Sequence, residues 1–367
     1  MLFEMPVTLA SSVSVTPRSV RTRLRRGPTS ASVSARSMLP VLQKRQQKLS
    51  LRHRAGQPRG MNTYDVVVIG AGVAGLNAAL VLTRARRSVL VVDSGQPRNK
   101  PAAHSHGFLT RDGIPPSELN ELGRKEVEGY GGEFIQGEVT AISRGFTVDL
   151  AGGTQVKARR VLVATGLRDE LPNIPGLAER WGKDAIACPY CHGYEFADRP
   201  IGVLYDAHHA LLLRQWSSDI VFFAQSQDVP ERVKLESRGI RIVEGTVSGL
   251  LVEDDRLRGV ELTDGRCIPR EALFLKPNFV PRDDFLKPLG YDPALTGPNG
   301  KTNVDGIWVA GNVGNLMANL IASAAEGSTA AAMINFDLVQ ADTDNAVMFS
   351  HAAEREAHVM RHRHSPV

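Results

Sequence analysis

Asp65-Val66-Val67-Val68-Ile69-Gly70-Ala71-Gly72-Val73-Ala74-Gly75 is the stretch that decides the fold. Its continuous β-branched run predicts a buried parallel strand. A helix-like segment follows from Leu76 to Arg84. A second apolar run, Ser88 to Val92, ends in Asp93, 18 residues beyond Gly75. Strand, glycine turn, helix, strand and acid in this order predict a dinucleotide-binding βαβ unit rather than a structural glycine turn. Gly70 permits the tight turn, Gly72 lets the backbone approach a pyrophosphate, and Gly75 lets the helix pack on the strand. The helix N-terminus offers N–H groups to phosphate, and Asp93 can accept from ribose hydroxyls.

That unit alone does not distinguish FAD from NAD. Two later segments bear on the choice. Arg160 to Gly166 reads as a strand running into the small-residue turn Ala164-Thr165-Gly166, and Gly306 to Val313 reads as a strand ending in Gly311-Asn312. A helix of small residues is expected from Met317 to Asn335, tightly packed along Ala322 to Ala332.

Cys188-Pro189-Tyr190-Cys191-His192-Gly193-Tyr194-Glu195 carries the chemistry. If it opens a helix, Cys188, Cys191 and His192 share one face. A thiol at a helix N-terminus has its thiolate stabilised, and an adjacent imidazole can move its proton, as dithiol–disulfide exchange requires. The same string matches the c-type haem pattern, can be half of a zinc site, or can be a buried structural pair. With no second CxxC and a dinucleotide site already present, we expect a redox pair and no metal. Cys267 is expected in the core.

The stretches Arg160 to Gly166 and Gly306 to Val313 resemble the ATG and GD motifs of the two-dinucleotide-binding-domain flavoproteins, with Asn312 in place of the acid. Residues 62–342 resemble the low-molecular-weight thioredoxin reductases. CPYCHGYE, with Asp93 to Asn99 and His104 to Phe108, resembles the branch that includes dithiol oxidases of the gliotoxin and holomycin type. The resemblance implies an α/β fold of two Rossmann-like three-layer domains, the second inserted into the first. It implies FAD held by Gly70, Gly72, Ala74, Gly75, Asp93, Ser94, Asn99, Val139, Ala164, Thr165, Gly166, Gly311, Asn312, Ala318 and Asn319. It also implies that Cys191 faces the flavin, that Cys188 exchanges with substrate, and that His192 is the acid/base. His104 and His106 fall near that pocket, or are satisfied loop histidines. A homodimer is a further family expectation.

The inserted domain should hold NADPH, and here the sequence departs from the pattern. The strand Ile201 to Leu204 is followed by Tyr205-Asp206-Ala207-His208-His209, with no glycine between Gly202 and Gly239. The loop reads as about four residues short of the six-position motif. Asp206 would set a carboxylate against phosphate. Ala224 to Asp228 lacks an arginine cluster for a 2′-phosphate, leaving Arg232 and Lys234 as weak candidates. NAD(P)H binding is therefore doubtful.

The expected domains are a basic extension at 1–60, an FAD-binding domain from 61–171 and 277–342, an inserted NAD(P)-like domain at 172–276 carrying the CxxC, and a polar C-terminal tail at 343–367. The 367-residue chain carries a net charge of +5. The extension holds ten Arg and two Lys against Glu4, so it carries +11 and the body −6. A nucleic-acid role for the body gets no support. The extension reads as upstream sequence before a start at Met61, as a transit peptide, or as a basic interaction tail. No 18-residue apolar run exists, so no membrane span is expected. Three cysteines exclude a disulfide-stapled secreted scaffold. The expected location is cytoplasmic, or an organelle if 1–60 is a transit peptide. The expected partner is a small dithiol or disulfide, or a thioredoxin-like protein. Three readings stand: a dithiol oxidase passing electrons to oxygen, a disulfide reductase fed by NADPH or another donor, and a non-catalytic flavoprotein.

Overall fold

A computed structural model describes residues 63–363, with side chains described to His351. The expectations for 1–60 lie outside the described residues.

Strand β1 (Thr63–Ile69) leads into helix α1 (Val73–Arg84) and strand β2 (Val89–Asp93). Helix α2 (Pro116–Gly129) follows, then β3 (Glu133–Gln136), β4 (Val139–Ile142), β5 (Thr147–Leu150) and β6 (Gln155–Val163). These strands form one sheet in the order β3-β2-β1-β6-β5-β4. β1, β2, β3 and the β1–β6 pair are parallel, and β4 and β5 add an antiparallel hairpin. The period-two pleat sorts the apolar run onto two faces. Val66 and Val68 pack toward α1, whereas Val67 and Ile69 pack toward the hairpin side. All four are 0–4% exposed, each contributing about 1.5–3 kcal/mol by burial.

Next come β7 (Leu167–Glu170), α3 (Leu177–Arg180), β8 (Ala185–Ile186), α4 (Pro189–His192), β9 (Ile201–Leu204), α5 (Ala207–Leu213), β10 (Ile220–Phe223), α6 (Arg232–Ser237) and β11 (Arg241–Val243). A meander of β12 (Val247–Glu253), β13 (Arg256–Leu262) and β14 (Cys267–Pro269) precedes β15 (Ala272–Leu275) and β16 (Asn278–Pro281). The second sheet is parallel throughout, in the order β11-β10-β9-β15-β8. β7 and β16 pair antiparallel and carry the chain out of the first sheet and back. β17 (Ile307–Val309) then rejoins the first sheet beside β6. The architecture is α/β, with two Rossmann-like units, the second inserted into the first.

Helix α7 (Leu320–Arg363) is 44 residues long. Its small residues let it pack against α1: a Cβ on Gly327 would lie 2.1 Å from the Ala74 carbonyl oxygen. Two expectations are corrected here. The C-terminal tail expected from 343 is a continuation of α7 as far as Arg363. Among its described side chains the last buried one is Leu338, and from Asp342 to His351 every residue is exposed. Cys267 is exposed rather than core, because the meander strand β14 pairs on one side only, with β13. Among the described residues no helix is long and apolar enough to cross a membrane.

Candidate functional site

The turn between β1 and α1 has the geometry a dinucleotide needs. Gly70 has φ +105°, and a Cβ there would lie 2.4 Å from the Ala164 carbonyl oxygen. A Cβ on Gly75 would lie 1.9 Å from the Gly70 carbonyl oxygen, so the helix can approach the turn only without one. Gly72 faces open space instead: nothing lies within 4 Å of its would-be Cβ. It N-caps α1 without a side-chain hydrogen bond. The first N–H groups of α1 are thus open to an anion. Asp93 ends β2 beside the turn and accepts the N–H of Ala71 at 3.1 Å.

This turn opens into a cavity of about 1050 Å³, at the upper end of the range for small-molecule sites, about 300–1,000 Å³. It lies outside the carboxyl ends of β1 and β6, where open α/β sheets bind ligands. Gly70, Gly72 and Ala74 line it from the turn; Asp93, Ser94 and Asn99 from the end of β2; Val139 from β4. Ala164, Thr165 and Gly166 line it from the end of β6; Gly311, Asn312, Ala318 and Asn319 from beyond β17. Gly75 does not line it, being turned into the α1–β1 contact. The first turn of α7 also reaches the wall, where the Asn319 side chain accepts the N–H of Ala322 at 3.0 Å. Two helix N-termini therefore bias the cavity toward negative charge. The open Gly72 face, the cavity size and the convergent polar groups fit FAD.

Arg98 was not singled out from the sequence. Its guanidinium grips Asp169 of β7, with Nη2 to Oδ1 at 2.7 Å and Nε to Oδ2 at 3.0 Å. It also donates to Asn312 Oδ1 at 3.3 Å and stacks 4.9 Å over the Phe279 ring of β16. The Asn312 amide donates to the Ala318 carbonyl at 2.8 Å. An aspartate could not make that donation, so Asn312 closes its own loop.

Cys188 and Cys191 are joined as a disulfide, with Cα atoms 5.3 Å apart. Both line the same cavity, as does His192. Cys188 N-caps α4, and the N–H groups of Cys191 and His192 both point to its carbonyl oxygen. The helix is a single turn, so its dipole is small and most of any thiolate stabilisation falls to neighbouring groups. His192 is one such group: burial holds its imidazole below the ordinary value, so it stays neutral and able to take a proton. Glu195 acts against that shift.

His104 and His106 line the cavity and also have partners. His104 Nδ1 sits 3.0 Å from the Gly113 carbonyl oxygen. His106 reaches Asp112 at 3.4 Å through Nδ1 and Glu195 at 3.1 Å through Nε2. Its ring meets that of His192 edge-on at 5.9 Å. The approach of a loop near residue 106 to α4 has no short-range sequence signal.

The turn after β9 is built differently. Two residues separate β9 from α5, against three between β1 and α1, and α5 has seven residues against twelve. The shortening expected in the loop therefore falls mainly in the helix. Tyr205 adopts φ +70° without being glycine. The Asp206 carboxylate caps α5 by accepting the His209 N–H at 3.1 Å. Arg232 pairs with Glu244 and, at 3.7 Å, with Glu236, so it is not free for a 2′-phosphate.

The pyridine nucleotide-disulphide oxidoreductase family model matches residues 64–211. The solved structure of HlmI is 50% identical, with TM-score 0.76, over 82% of this chain and 99% of that one. Thioredoxin reductase sirT of Leptosphaeria maculans is 29% identical over 76% of this chain and 95% of its own. A protein of Arthroderma benhamiae named "Probable thioredoxin reductase" is 35% identical over 45% of this chain and 44% of its own. With its open FAD cradle and a disulfide in the same wall, the chain belongs to the thioredoxin-reductase-like pyridine nucleotide-disulphide oxidoreductases and is an FAD-dependent disulfide oxidoreductase.

Proposed function

We propose that this protein oxidises a dithiol to a disulfide, with oxygen as the final acceptor. The observation that carries the reading is the contrast between the two strand–turn–helix units. The first leaves its helix N-terminus open at Gly72, and the second fills its own with the Asp206 carboxylate. A route that draws electrons from a thiol substrate needs only the first. Bound FAD would take the electron pair from the reduced cysteines and pass it to oxygen, held by the cavity residues named above.

The protein's own groups perform the thiol exchange. A substrate thiolate attacks Cys188 Sγ, the Cys188–Cys191 bond breaks, and Cys191 leaves as thiolate. The second substrate thiolate attacks the sulfur bound to Cys188, releasing the substrate disulfide and a Cys188 thiolate. His192, neutral at pH 7, takes the proton from the incoming thiol. The balance is one dithiol and one oxygen to one disulfide and one hydrogen peroxide.

The partner is a small dithiol. A thioredoxin-like protein is the second reading, supported by Tyr190 and Tyr194, which flank Cys191 and are 74% and 81% exposed. A homodimer is part of the proposal: α7 exposes Phe336, Val347, Met348 and Phe349, an apolar surface suited to a second copy.

Anaerobic mixing of the yellow protein with a dithiol and, separately, with NADPH tests the reading. Bleaching of the flavin band by the dithiol alone, reversed by air with peroxide release and absent in Cys188→Ser and Cys191→Ser, is the expected result. Saturable bleaching by low NADPH would establish the reductase instead. Bleaching by neither reagent would leave the non-catalytic flavoprotein.

A further inference from the structure

We propose that His106, His192 and Glu195 form a binding site for a zinc-class divalent cation at the edge of the cavity, beside the redox cysteines. One ligand atom from each lies within 4.8 Å of the other two. Among the described residues this is the one such grouping of His, Cys, Asp or Glu. Ligand atoms around tetrahedral zinc, with bonds of about 2.0–2.2 Å, sit roughly 3.4 Å apart. His106 Nε2 and Glu195 Oε1 are already 3.1 Å apart. Small side-chain rotations bring His192 in, and two imidazoles with one carboxylate form a known zinc donor set that leaves a fourth position open.

A second, independent feature points the same way. Asp112 Oδ2 faces His106 Nδ1 at 3.4 Å, and Asp112 is itself held by the Gly107 N–H at 2.8 Å. A carboxylate behind one ring nitrogen directs the other toward a metal and raises its basicity. The side chains of His106 and Glu195 are 23% and 38% exposed, so an ion can enter from solvent. The ligands come from a loop and from the end of α4 with the turn after it, about 90 residues apart, which is why CxxC spacing gave no sign of the site.

The test is a titration of the air-oxidised holoprotein with zinc chloride against a chromogenic zinc indicator. The intact disulfide removes Cys188 and Cys191 as thiolate ligands. One equivalent should bind in the wild type and be weakened at least about tenfold in His106→Ala and in Glu195→Gln. Asp112→Asn should weaken it by about 10- to 100-fold with the ligands in place. Flavin content and absorbance report that each variant is folded. Cys267 and the histidines near the C-terminus, His351, His358, His362 and His364, contribute equally to every variant and cancel in the difference. Equal binding in wild type and both ligand variants, or binding only after reduction, would overturn the site.

A cation there would occupy His192 and slow dithiol-driven bleaching, and a chelator would restore it. That consequence rests on the dithiol-oxidation reading. The titration does not, so the two can fail separately.

Discussion

The Asp206 carboxylate accepts the backbone N–H of His209 at 3.1 Å, occupying the N-terminal end of α5, where the corresponding helix of the first domain, α1, is open. Asp206→Ala should cost about 1 kcal/mol, the ordinary value of an N-cap, read by urea unfolding. It should not create NADPH-driven flavin bleaching, because Tyr205 still closes the turn and no glycine loop appears. Restored bleaching would show that one carboxylate was the whole obstacle.

Two glycines should separate packing from cofactor binding. Gly75→Ala places a methyl 1.9 Å from the Gly70 carbonyl oxygen, so it should destabilise the protein by about 1–3 kcal/mol and lower its flavin content. Gly72→Ala meets no protein atom within 4 Å. It should cost at most about 1 kcal/mol as a poorer N-cap, yet reduce flavin retention on gel filtration. Full flavin in Gly72→Ala would show that this face is not the cofactor's.

His192 sets the pH dependence. Burial lowers its value below the ordinary 6.5, so in the window just below 6.5 the unfolded chain binds more protons than the folded one. The stability this provides is present above pH 6.5 and is lost as pH falls through the folded value. Dithiol-driven bleaching should therefore keep its rate somewhat below pH 6.5 before an acid limb appears. His192→Asn should remove that limb and slow bleaching by about 10²- to 10⁴-fold. Stopped-flow rates from pH 5 to 8 decide it, and an unchanged acid limb would assign it elsewhere.

The Arg180–Asp184 pair holds the inserted domain together beneath the cavity wall. Their side chains are 4% and 9% exposed, and two contacts of 2.7 and 2.6 Å join them. Asp184 also accepts the Leu257 N–H at 2.8 Å. Asp184→Ala leaves Arg180 paired with exposed Asp255 alone and the buried Leu257 N–H without its acceptor, and should cost about 1–3 kcal/mol by chemical denaturation. Arg180→Met with Asp184→Leu should recover much of that.

The resemblance implied that one domain is inserted into the other; the sequence by itself determined the βαβ unit, the closely spaced cysteine pair and the departure of the second turn from the glycine pattern. Each is written in contiguous residues: the Val66 to Ile69 run, the 70–72–75 glycine spacing, the 188–191 cysteine spacing and the missing glycines after Leu204. Local sterics and period decide such features within a dozen residues. Cys267 was misplaced because apolar character alone does not say whether a second layer covers a strand. The helix expected to end at Asn335 runs on to Arg363, because polar composition does not stop a helix that is already nucleated. Only the tertiary structure joined Arg98 to Asp169, Phe279 and Asn312, and His106 to His192 and Glu195. Those contacts span tens to hundreds of residues, and the packing of two separately folded sheets, which no local pattern encodes, brings them within ångströms.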